Sequence, residues 1–227
     1  MNTYTKYWFL EGFNLFNKLG RITMMRMCEI LEMKNIDKGS TVELINNDHK
    51  SIFFLKKGTV KIIDTTTDSV KYIVKKGHIF GELSLYDEHD NIEEQAIALE
   101  DCIVCYIESF RMKKIMEKHK SLKNGVLKIY GLRIKKLERR LQDLLYKDST
   151  TRIKEFVIDY IKEFGEQTEK NIIAKNLLTH KDIANLTNTS RQTVSNTLSI
   201  LRKEGIIDYN TQSISILNTT KQHTIQN

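Results

Sequence analysis

Hydrophobic and polar positions change period several times along the chain. Residues 4–33 place Trp8, Phe9, Phe13 and Phe16, then Ile22, Met25 and Ile30, at loose helical spacing, which predicts short helices packed on a core. From Thr41 to Ile107 the period drops to two. Val42 and Leu44 alternate, as do Val60 and Ile62, and then Val70, Tyr72 and Val74, the pattern of half-buried strands. The unbroken run Ile52-Phe53-Phe54-Leu55 predicts a strand covered on both faces. A Lys-Gly pair recurs at equal intervals, Lys38-Gly39, Lys57-Gly58 and Lys76-Gly77, where glycine supplies the backbone of a tight turn. Short strands between regular turns predict an all-β barrel or jelly roll.

Residues 110–147 predict a short helix and then a long one. Leu127, Tyr130, Ile134, Leu137, Leu141 and Leu144 step alternately by three and four, an a/d seam of the kind that pairs helices in coiled coils. The remaining positions are basic, with Lys135, Lys136, Arg139 and Arg140 clustered. So regular a stripe on so charged a helix predicts dimerisation; the competing reading is a solvated helix lying on its own domain. Asp148-Ser149-Thr150-Thr151 breaks the seam with capping residues, so a new helix and a domain boundary are expected near Lys147–Asp148.

A helix-turn-helix follows. Thr179 can cap a short helix with Asp182 three residues on, and Leu186-Thr187-Asn188-Thr189 reads as the turn, Asn188 being a residue that tolerates left-handed backbone. Ser190 caps a second helix from Arg191 to about Glu204. Its Val194, Leu198 and Leu201 fall on one face, and Arg191, Gln192, Ser195, Asn196 and Ser199 on the other. Arginine can donate in a fork to guanine, and glutamine or asparagine can pair bidentately with adenine, so the outward face suits base reading. A plain helical hairpin with a polar surface is the alternative. Gly205, then Ile206–Tyr209 and Ser213–Ile216, read as a hairpin wing, and the tail from Asn218 is polar.

Composition narrows this picture. The chain has 227 residues and a formal net charge of +7. The excess is local: residues 110–147 carry net +10, against −4 before them and +1 after. The basic charge therefore belongs to the seam helix, and nucleic-acid binding has to be argued from the helix-turn-helix instead. No apolar run is long enough for a membrane span, and the start lacks the pattern of a secretory leader. Three cysteines (Cys28, Cys102, Cys105) are too few for a disulfide framework, so a cytoplasmic location is expected. Cys102 and Cys105 have CxxC spacing, but on a strand they would face opposite ways and read as packed thiols. No nucleophile triad, phosphate loop or HExxH is present, and His49, His119 and His180 read as surface residues, so no enzyme is expected.

The chain resembles the Crp/Fnr family of bacterial transcription regulators. The resemblance runs from about Leu10 to Leu217. Lys38-Gly39, Leu55–Val60, Gly77–Leu83 (with Phe80-Gly81-Glu82-Leu83), the basic heptad helix, Asp148 with Arg152, and Thr179–Leu201 carry it. It implies an α+β chain. Residues 1–109 would form a cyclic-nucleotide-binding-like β-roll (double-stranded β-helix or jelly roll), residues 110–147 a helical segment with a dimerisation helix, and residues 148–227 a winged helix-turn-helix. The hinge would fall at Asp148. The implied partners are double-stranded DNA, a second copy of the chain and, for an activator, RNA polymerase; no membrane is implied.

The effector site departs from the family pattern. The Arg-Ser pair that holds a cyclic phosphate in cyclic-nucleotide members aligns with Ile92 and Glu93, followed by Glu94, so an anionic phosphate would lose its guanidinium and meet carboxylates. Phe80, Gly81, Glu82, Leu83, Ile92 and Glu93 remain the candidate effector pocket, without cyclic AMP bound in the family's usual way. The cysteine cluster of iron–sulfur members is lacking, and His78, a lone turn histidine, does not suggest haem, so no cofactor is expected. A regulator with a degenerate sensor, controlled by its abundance, is the alternative. In the recognition helix, with Thr179, His180 and Ser190 flanking it, Arg191 matches a base-reading arginine. Gln192 replaces the common glutamate and Asn196 the common arginine, which implies a half-site unlike the family's usual TGTGA or TTGAT.

Overall fold

A computed structural model describes residues 3–217 apart from 14, 17, 18, 47, 48, 82–93 and 170. The chain divides into two compact units, residues 1–137 and 138–227.

The first unit opens with α1 (Thr3–Glu11) and α2 (Arg21–Ile30). The strands β1 (Glu32–Ile36), β2 (Thr41–Val42), β3 (Ile45–Asn46), β4 (His49–Lys57), β5 (Thr59–Asp64), β6 (Ser69–Lys75), β7 (Ile79–Gly81), β8 (Glu94–Ala98) and β9 (Cys102–Glu108) follow. Then come α3 (Ser109–Lys118) and α4 (Lys120–Tyr146), which crosses into the second unit. The strands form two antiparallel sheets, ordered β1-β9-β4-β3, with β7 also on β4, and β2-β8-β5-β6. The three Lys-Gly turns fall between strands, and Gly39, Gly58 and Gly77 have φ of 82°, 91° and 83°.

The apolar run in β4 is covered on both faces, as its composition predicts. Ile52 and Phe54 pack with Phe9, Phe13, Met27, Leu31 and Met112 on the helical side. Phe53 and Leu55 pack with Val60, Ile62, Phe80 and Val104 inside the roll. The cysteines divide likewise: Cys105 joins Cys28 on the helical side and Cys102 faces the interior, all three buried.

Two expectations need correction. Ile22 is 74% exposed, and Met25 and Ile30 are only half-buried, while α2 buries Met24, Met27 and Cys28. Apolar residues occupy two competing helical registers there, and the one continued by Leu31 at i+7 of Met24 packs on the sheet. The strand region also begins at β1, ahead of Thr41. Its polar sequence hides it, but among the described residues β1 is an edge strand paired only to β9, where polar residues are tolerated.

The second unit holds the last turns of α4, then α5 (Ser149–Phe164), β10 (Glu166–Gln167), β11 (Asn171–Lys175), α6 (His180–Thr187), α7 (Arg191–Lys203), β12 (Ile207–Tyr209) and β13 (Ser213–Leu217). The sheet order is β10-β11-β13-β12. Ile153, Val157 and Ile161 of α5, Ile183 and Leu186 of α6, and Val194, Leu198 and Leu201 of α7 are buried, and α5 packs against both other helices. The β10–β11 hairpin was not legible in the sequence, since β11 buries only Ala174 and shows no alternation. Among the described residues no helix is long and apolar enough to cross a membrane.

Candidate nucleic-acid interface

The two helices of the helix-turn-helix are set by side-chain caps. Thr179 Oγ1 accepts from the Asp182 N–H (3.1 Å), and the Asp182 carboxylate accepts from the Thr179 N–H (2.9 Å), a reciprocal box that satisfies orphan donors at the start of α6. Asn188 ends α6 in the left-handed region (φ 49°, ψ 58°), as its residue type predicts. Ser190 then caps α7 by accepting from the Thr193 N–H at 3.0 Å. Thr179 and Ser190 thus stand at the two helix starts with their hydroxyls engaged in capping.

Helix α7 is two-faced. Val194, Thr197, Leu198 and Leu201 are buried, whereas Arg191, Gln192, Asn196 and Ser199 are exposed and Ser195 is half-buried. Gln192 Nε2–H donates to Asn196 Oδ1 at 3.0 Å across one turn. That bond uses one of two amide hydrogens, leaving an N–H and the Oε1 of Gln192 in the donor–acceptor pairing that an adenine edge requires. Thr179, His180, Lys181 and Arg191 line a shallow recess at the N-terminal ends of α6 and α7. Lys181, a first-turn cation beside the capping threonine, was missed in the sequence. The wing turn is held by Asn210, whose Oδ1 accepts from the Gln212 and Ser213 N–H groups at 2.8 Å each. Arg202 braces β12 through an ion pair to Asp208 (3.0 Å) and by lying over the Tyr209 ring.

The seam residues lie on the outside of α4. Leu127, Ile134, Leu137, Leu141 and Leu144 are 36–64% exposed, and Leu145 and Tyr146 widen the apolar stripe at its end beyond what the heptad spacing marks. Tyr130 is half-buried against the helical-side core. Asp148 caps α5 by accepting from the Thr151 N–H (2.9 Å) and hydroxyl (2.8 Å), and those bonds hold its carboxyl below the usual range.

Of the candidate effector pocket, Glu82, Leu83, Ile92 and Glu93 lie outside the described residues. Phe80 is wholly buried and stacks on Phe53, with 5.0 Å between ring centres. Gly81 has φ 88°, and a Cβ there would come within 2.9 Å of the Phe53 ring, so the position requires glycine. Arg133 of α4 reaches this side of the roll, donating to the Ile79 carbonyl at 3.2 Å and lying over the Tyr72 ring. Among the described residues no three His, Cys, Asp or Glu side chains gather to hold a metal ion.

Both halves match known domains. Residues 33–119 match the cyclic nucleotide-binding domain and residues 152–221 the Crp-like helix-turn-helix domain. The chain is 25% identical over 163 residues to the anaerobic regulatory protein of Bacillus subtilis, covering 70% of this chain and 68% of that one. It is 22% identical over 192 residues to the global nitrogen regulator of Synechococcus elongatus, covering 83% and 86%. Among solved structures, FixK2 from Bradyrhizobium japonicum has the same fold with a TM-score of 0.70 at 14% identity, over 84% of this chain and 93% of that one. A CooA variant from Carboxydothermus hydrogenoformans has a TM-score of 0.67 at 22% identity, over 92% and 90%. A sensor-type roll, a long helix and a winged helix-turn-helix in this order make the chain a member of the Crp/Fnr family, which comprises DNA-binding transcription regulators and not enzymes.

Proposed function

We propose that this regulator acts as a homodimer on a palindromic operator, and that cyclic AMP does not control it in the family's usual way. Residues 1–109 serve as the sensor, 110–147 as the dimerisation segment and 148–227 as the reader. The observation that carries the dimer is the row of exposed leucine and isoleucine side chains on α4. Burying the exposed part of each against a second copy is worth about 1 kcal/mol, whereas basic flanks alone would repel. Two α7 helices then enter successive major grooves about 34 Å apart, Arg191 donating to guanine and Gln192 pairing with adenine, while Ser195, Asn196 and Ser199 follow the groove and His180 faces the flanking backbone. RNA polymerase is a further partner if the regulator activates.

The burial of Phe80, which stacks on Phe53 while Phe53 stacks in turn on Tyr106, supports the second reading, a sensor that has become a scaffold, with abundance as the control. No cofactor is assigned. Burial pushes the Cys102 thiol up to about 11 and that of Cys105 to about 12, which suits packing rather than redox or metal chemistry. Sedimentation of the purified chain tests the dimer, and calorimetry with cyclic AMP tests the effector. A monomer at micromolar concentration, or micromolar cyclic AMP binding, contradicts the corresponding part of the proposal.

A further inference from the structure

The first turn of α5 carries a side chain that touches neither of the helix-turn-helix's outward faces, yet holds the motif from behind. Arg152 Nε–H donates to the Thr187 carbonyl at 3.0 Å and Nη2–H to the Asn188 carbonyl at 3.1 Å, so one edge of the guanidinium grips two successive carbonyls where α6 ends. On its other side Nη1–H donates to the Lys147 carbonyl at 2.6 Å, just past the end of α4. Arg140, on the last turns of α4, adds a longer bond to the Asn185 carbonyl at 3.4 Å. Helix ends leave their final carbonyls without intrahelical partners and carry the negative end of the dipole, so a half-buried cation with a planar fork fits here twice over. Three rigidly arranged donors on carbonyls of two different segments fix the angle between those segments, which a single bond would not do.

We propose that Arg152 is a positioning residue for operator reading. It holds the α6–α7 turn against the end of α4, so that α7 is presented to DNA in one orientation. This rests on the reading of α7 as the recognition helix. Lysine would keep the charge without the fork and should not replace it. If Arg152 sets the fraction of molecules in the reading-competent orientation, its loss weakens apparent affinity by that fraction. Binding that depends only on phosphate charge has no such requirement and should be spared.

The test uses duplexes that the wild-type chain enriches from a random pool, and a shuffled duplex of the same length. Wild type, Arg152→Ala and Arg152→Lys are titrated on both over a range of salt, with circular dichroism melts confirming that each is folded at the assay temperature. Affinity for the enriched duplex should fall roughly tenfold or more in both variants. Affinity for the shuffled duplex should stay within about twofold, and the slope of log affinity against log salt should not change. Unchanged affinity for the enriched duplex overturns the proposal, as does full recovery with lysine. An equal loss on both duplexes, with the slope reduced by about 0.9 per protomer, would make Arg152 a phosphate contact and also overturns it. Should the alanine variant not fold, the lysine variant carries the same comparison. A wild-type chain that enriches no sequence overturns the reading of α7 and this inference with it.

Discussion

Helices α4 and α7 each turn a regular stripe of side chains outward, and the two stripes have opposite chemistry. On α4 the exposed row is leucine and isoleucine, flanked by lysine and arginine. On α7 it is Arg191, Gln192, Asn196 and Ser199, over a buried apolar face. An exposed apolar row lowers its free energy by meeting another apolar row, so α4 calls for protein. Fork and amide donors lose little in water and gain specificity from a patterned polar edge, so α7 calls for a base edge. The comparison also corrects a naive use of charge. The cations concentrate on α4, and the outward face of α7 contributes little to the net charge.

The largest effect should come from breaking the α4 stripe. Leu137→Glu with Leu141→Glu places four buried carboxylates in a symmetric seam and should give a monomer by sedimentation, with operator binding lost; a dimer that persists would assign the stripe to another partner. Next, Arg191→Ala should cost about 1–3 kcal/mol of operator affinity and relax specificity at one position, without changing the dimer. Thr179→Ala should lower unfolding stability by about 1 kcal/mol in urea titration, since it removes half of the α6 capping box. The smallest effect concerns Asp148, at the junction between the two stripes. Its depressed pKa means that its stabilisation is present above the ordinary carboxylate value, near 3.9, and is lost as pH falls through its lower folded value. Asp148→Asn should therefore be slightly less stable than wild type at neutral pH, and the difference should shrink on acidification.

Much of this was legible in residue spacing because local chemistry dictated it. Thr179 with Asp182, Asn188 and Ser190 fixed both helix starts and the turn, and the heptad steps fixed the outward row of α4. What escaped notice depends on contacts distant in sequence. The β1 strand exists because β9 offers it an edge, and the register of α2 is chosen by Leu31 and the sheet beneath it. Arg152 has no local pattern that reveals its three carbonyl partners, since two of them lie some way along the chain at Thr187 and Asn188. Tyr130, regular in spacing with the seam, is drawn toward the roll's helical-side core by packing that no periodicity encodes.

The central claim is that α7 reads an operator through Arg191 and Gln192. Selection from randomised duplexes, run in parallel with wild type and Gln192→Glu, tests it most directly. The expected result is an inverted repeat with half-sites about one helical turn apart, outside the TGTGA and TTGAT types, in which one adenine becomes cytosine with the glutamate variant. No enriched sequence, or the same sequence for both proteins, would contradict it.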